Sequence, residues 1–115
     1  MALSGQLKRI AGPTYLGTSA ADIYSPPAST IYTVIRQIHV ANKTSTGSTF
    51  SLYVGTTTGS TGGTELFGGH SVSANTEFSY PFQPGLKMVS TDFLSGLANN
   101  ASSLVITVMG EQVVV

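Results

Sequence analysis

The chain is 115 residues long, with five Lys and Arg against five Asp and Glu and no cysteine. That length supports one modest core, and only 9% of the residues are charged, against about 25% in an ordinary soluble domain. Lys8, Arg9, Arg36, Lys43 and Lys87 are too few to neutralise a run of phosphates, which argues against a nucleic-acid partner, and the missing thiols exclude a disulfide framework or a zinc–thiolate centre.

The first segment, MALSGQLKRIAGP, places Lys8-Arg9 after its few apolar residues with no apolar h-region behind them. It does not read as a secretory signal, so synthesis in the cytoplasm is expected. Leu3, Leu7 and Ile10 fit one face of a short helix, which Gly5 interrupts and Pro13 ends, and they fit an extended arm equally well. Residues 1–12 are therefore read as an N-terminal arm and 13–115 as the domain.

From Thr30 onward period-2 alternation dominates. In TIYTVIRQIHVAN (30–42), Tyr32, Val34, Ile38 and Val40 share one face, while Thr33, Gln37 and His39 share the other. Ile31, Ile35 and Arg36 break that pattern, so either both faces are partly covered or the strand carries a bulge. STFSLYVG (48–55) alternates cleanly, with Phe50, Leu52 and Val54 on one side and Ser51 and Tyr53 on the other. The segment 55–64 is a loop by composition. A short strand at 65–67 is expected to end in a turn at Gly68-Gly69.

TEFSYPF (76–82) sets Phe78, Tyr80 and Phe82 inward, and Pro81 marks it as an edge strand or its end. Pro84-Gly85 reads as a turn into LKMVS (86–90), followed by strands at 92–98 and 103–115. About seven or eight short strands separated by Gly, Pro and Asn predict an all-β chain: a single antiparallel β-sandwich, jelly-roll-like, with the N-terminal arm. No apolar run approaches the ~20 residues that span a bilayer, so no membrane partner is expected.

The residues give little support to catalysis. The residue type suited to proton transfer at neutral pH occurs twice, as His39 and His70; His39 reads as a strand-surface residue and His70 as part of the turn after Gly68-Gly69. Nothing in the sequence brings two of the five carboxylates together, and neither a nucleophile elbow nor metal-ligand spacing occurs. No enzyme activity, cofactor or metal is expected. The sequons at Asn42 and Asn100 carry no weight in so Ser/Thr-rich a chain.

The ends are more informative. Val113, Val114 and Val115 either complete a central strand or form an edge that pairs with a neighbour. Together with Leu3, Leu7 and Ile10 they are the candidate assembly contacts. A polar surface built from fifteen Thr and fifteen Ser has little charge to keep copies apart, so a homo-oligomer is expected, with a trimer as the working guess.

The run Ile31-Tyr32-Thr33-Val34, then Ile35 to Asn42, Phe50 to Gly55, Phe78 to Phe82 and Val105 to Gly110 resembles the strand order of small structural proteins of tailed-bacteriophage virions. The likeness covers about residues 20–111. It implies a protein of the virion, assembled in the host bacterial cytoplasm, that decorates the capsid or serves as a minor capsid protein. Its partner would be the major capsid protein or tail proteins, and no catalytic residue is carried over. The alternative is a tail- or adhesion-associated carbohydrate-binding module using Tyr53 and the turn-flanking Tyr15, Tyr24 and Tyr32, although no Trp is present.

Overall fold

A computed structural model describes residues 7–56 and 65–114. Leu3, Val115 and most of the Gly-rich segment expected as a loop lie outside the described residues. Eight strands follow in order: β1 (Leu7–Tyr15), β2 (Ala21–Tyr24), β3 (Tyr32–Asn42), β4 (Ser48–Gly55), β5 (Glu65–Val72), β6 (Glu77–Met88), β7 (Phe93–Ala98) and β8 (Leu104–Val113). They form two antiparallel four-stranded sheets, β1-β8-β3-β6 and β2-β7-β4-β5. β1 pairs with β8, β2 with β7, β3 with β6 and β4 with β5, as when one long hairpin is rolled into a sandwich. The chain is a jelly roll.

Inward residues from both sheets fill the core. Ile35, Ile38, Val40, Met88, Ile106 and Val108 of the first sheet meet Phe50, Leu52 and Leu94 of the second, all almost fully buried. Each such side chain contributes about 1.5–3 kcal/mol relative to an exposed one. A polar chain also crosses the sandwich: Gln112 Nε2 donates to the Tyr24 hydroxyl at 2.8 Å, and that hydroxyl lies 2.9 Å from Oγ1 of buried Thr33. Burial of these groups is tolerated because each has a partner.

A bulge explains the broken alternation of β3. Its pairing slips between Ile35 and Gln37 against both neighbours, and against β8 Arg36 is the extra residue. Thr33 and Ile35 point inward before the slip, and Ile38 and Val40 after it. Opposite the bulge β6 makes a larger excursion: Ile35 faces Leu86 and Gln37 faces Pro81, so residues 82–85 have no counterpart. The turn expected at Pro84-Gly85 is that excursion, and β6 continues along the same edge as one strand. Gly85 sits there at φ +141°, with Val34 Cγ1 and the Arg36 guanidinium where a Cβ would go.

Two further expectations are corrected. The turn at Gly68-Gly69 is a bulge within β5, because Gly69 takes φ +64° and re-enters the ladder at His70 opposite Phe50. The arm–domain boundary at 12/13 falls inside β1. Leu7 to Ala11 pair with β8, and Gly12, at φ +79°, packs so close to the Ile106 carbonyl that no side chain fits. Residues 7–12 are part of the sandwich.

All four edge strands are interrupted. β1 is bulged twice, β2 has four residues and a register shift, β5 carries the Gly bulge, and β6 carries Pro81, Pro84 and the excursion. Such edges resist pairing with another chain. Contact with other molecules is left to the two outer sheet faces and the ends of the sandwich.

Candidate functional site

The proposed assembly contacts separate when placed on this fold. Leu7 is 64% exposed, whereas Ile10 is half-buried against the core. Val113 is buried, pairs with Tyr32, and accepts a hydrogen bond from the Ile31 N–H at 2.8 Å. It belongs to β8, which lies between β1 and β3, and its described ladder partner is on β3. Val114 is half-buried at the same end.

What gathers around that end is a different apolar set. β1 begins there at Leu7, the chain enters β3 at Ile31, and β6 leaves at Val89 after Met88 pairs with Thr33. Among the described residues, Leu7, Ile31 and Val89 are three of the five large apolar side chains most exposed to solvent. Neither Ile31 nor Val89 is an assembly contact by sequence, since only strand pairing brings residues 7, 31 and 89 to one rim.

The two histidines have exchanged their expected prominence. His70 is not on a solvated turn: its ring centroid lies 4.1 Å from Phe78 and 5.5 Å from Phe50, and its Nδ1 is 3.1 Å from the Ser71 carbonyl. It is one ring of an aromatic cluster with Phe67 and Tyr80 where β5 and β6 approach. His39 lies on the outer face of β3, Nδ1 2.7 Å from Ser79 Oγ and Nε2 3.7 Å from Glu77 Oε2. A hydroxyl, an imidazole and a carboxylate in line could in principle form a nucleophilic relay. Here they stand on an open sheet face, with Glu77 and Ser79 exposed and the histidine half-exposed. Water reaches all three groups, so the arrangement lacks the dry setting that makes such relays effective.

The tyrosines do not form one stacking platform. Tyr15 and Tyr32 lie on the outer face of the first sheet at opposite ends, opposite Val105 and Val113. Tyr53 lies half-buried on the outer face of the second sheet, and Tyr24 turns inward to Thr33. Among the described residues no three His, Asp or Glu side chains converge as a metal site.

Charge is distributed unevenly despite its balance. The first sheet carries Lys8, Arg9, Arg36 and Lys87 against Glu77 and Glu111. The second carries Asp22 and Glu65 and no Lys or Arg. Lys43 and Asp92 lie in turns. On the second sheet Asp22, Ser95, Tyr53 and Glu65 form one row across all four strands of the outer face, with Ser95 Oγ donating to Asp22 Oδ1 at 3.0 Å. On the first, Arg9 stands opposite Met109 and Lys87 opposite Val34, with Lys87 Nζ 4.8 Å above the Tyr32 ring. No family model matches this chain, and no curated protein matches its sequence.

Proposed function

We propose that this protein is a non-enzymatic structural subunit of a tailed-bacteriophage virion, most simply a capsid decoration or minor capsid protein that binds the head lattice and stabilises it. The observation that carries the reading is the apolar rim of Leu7, Ile31 and Val89 at one end of a sandwich whose four edges are all blunted. The strand-pattern resemblance supplies the virion context. The rim supplies an end-on contact that buries apolar area without needing strand pairing. Many weak copies on one lattice bind with avidity.

The test is co-sedimentation with particles of the phage that encodes the chain, with copy number read from particle mass. Hundreds of copies per head are expected, and a handful with tails would move the protein to the tail. Ile31→Asp and Val89→Asp should each abolish binding while leaving the melting temperature within a few degrees. Undiminished decoration by both variants would remove the rim from the contact, and a chain absent from purified particles would sink the virion reading.

A further inference from the structure

The end of the sandwich opposite the apolar rim has a different chemistry. Strand β3 runs from the rim at Tyr32 to Asn42, and four loops cluster at that far end: 16–20, 43–47, 73–76 and 99–103. Lys43 is their single charged residue, and Leu16, their one large apolar residue, is buried. The rest are hydroxyl, carboxamide and small residues. We propose that this end binds saccharides, one uncharged sugar unit occupying the cleft between the β3–β4 and β7–β8 loops.

The loops are tied to one another before any ligand arrives. The Asn75 N–H donates to the Thr44 carbonyl at 3.0 Å, joining the β5–β6 loop to the β3–β4 loop. The Asn99 N–H donates to the Thr49 carbonyl at 3.0 Å, and the Thr49 N–H donates to Asn99 Oδ1 at 2.8 Å. The Ala98 N–H donates to the Gly17 carbonyl at 2.8 Å. A ligand that meets a preset surface forfeits less of its binding free energy to ordering.

The cleft holds about 260 Å³ and is lined by Thr44, Thr46, Ser48, Asn100, Ala101 and Ser103. Pockets that enclose drug-sized ligands run from about 300 to 1,000 Å³, so this one suits a single ring. Some of its polar groups are committed: the Thr44 hydroxyl donates to Asn42 Oδ1 at 2.7 Å, and the Ser103 hydroxyl to the Asn100 carbonyl at 2.6 Å. Ser48 is 3% exposed, and its Oγ accepts from Asn100 Nδ2 at 3.2 Å, which leaves its own proton for another acceptor. Asn100 Oδ1 and the Thr46 hydroxyl stand on exposed residues at the mouth. A buried donor, a carboxamide acceptor and a hydroxyl that does both match the vicinal hydroxyls of a sugar, each of which donates and accepts. No charged side chain lines the cleft, so nothing there calls for an acidic ligand, and the Ala101 methyl can meet a C–H face of the ring.

This inference goes beyond the virion reading and does not rest on it, since it concerns the end away from the rim and its test needs no virion. The intact ¹⁵N-labelled chain is titrated with the methyl glycosides of glucose, galactose, mannose and N-acetylglucosamine, and amide shifts are followed by NMR. At least one glycoside should bind with a Kd of about 1 mM and move the amides of 44–48 and 99–103. Asn100→Ala and Thr46→Ala should each weaken that binding about three- to tenfold, as expected for one lost hydrogen bond. Tyr15→Ala and Tyr53→Ala should leave it unchanged. The same amide spectra show that each variant is folded, and Thr46, being exposed, is the safer of the two cleft substitutions. Absence of shifts with all four glycosides would overturn the proposal. So would shifts centred on the tyrosines, or an affinity indifferent to both Asn100→Ala and Thr46→Ala.

Discussion

Arg36 Nε donates to Glu111 Oε2 at 2.6 Å, tying the bulge of β3 to the next strand, while the same guanidinium donates to the Pro84 carbonyl in the excursion of β6. One side chain thus fastens three strands at the point where the regular ladder is broken. Both partners are partly exposed, at 41% and 29%, so solvent discounts the pairing. Arg36→Ala should cost about 1–2 kcal/mol in chemical denaturation. Faster amide exchange should be confined to residues near 82–85; an unchanged exchange pattern there would show that the excursion holds without Arg36.

Gly85 and Gly69 form a matched pair of tests. Both take positive φ, but a Cβ on Gly85 meets Val34 and Arg36, whereas one on Gly69 meets nothing within 4 Å. Gly69→Ala should cost only the backbone penalty of about 1–2 kcal/mol. Gly85→Ala should cost more, about 2–4 kcal/mol, because strain adds to overpacking. Equal losses in urea titrations would mean that the β6 excursion relaxes freely.

Asn42 organises the β3–β4 turn. Its Nδ2 donates to the carbonyls of Thr46 and Val72, and its Oδ1 accepts from the Thr44 N–H and hydroxyl. The residue is 1% exposed, so the sequon it opens is closed to a glycan in the folded state. Asn42→Ala leaves buried backbone groups unpaired and should destabilise by about 2–4 kcal/mol, measurable as a fall in the denaturation midpoint.

The aromatic cluster should divide sharply by burial. Phe50 is fully buried among Phe67, His70 and Phe78, whereas Tyr80 is 42% exposed. Phe50→Ala should cost about 3–5 kcal/mol. Tyr80→Ala should cost about 1 kcal/mol, from edge-to-face contacts alone. A large loss at Tyr80 would indicate that its ring is covered in solution, and sedimentation of the variant would show by what.

Truncation tests whether residues 7–12 belong to the sandwich. Removing 1–12 strips Leu7 to Ala11 from β8 and uncovers the core that Ile10 and Ala11 pack against. That variant should be unfolded or aggregated by circular dichroism and light scattering.

Alternation at 48–55 and the β-branched run at 103–115 were enough to predict an antiparallel sandwich, and Pro81 marked its aromatic strand as an edge strand or the end of one; β6 is an edge strand. The sequence also registered the anomaly of Ile35 and Arg36 as a bulge or a two-sided strand. These are local signals, written in the period of two that a pleated strand imposes. The Gly-Gly and Pro-Gly pairs misled because a bulge and a turn need the same backbone freedom; only the partner strand decides whether the chain reverses or continues. Partnership also decided the fate of Val113. By sequence it could cap an edge or finish a central strand, and pairing sets it beside Tyr32 of β3. The rim of Leu7, Ile31 and Val89, the His39–Ser79 contact across 40 residues and the sorting of charge between sheets were invisible for the same reason. Composition fixes a sum of zero; which face each charge occupies depends on strand order, and strand order is a property of the roll.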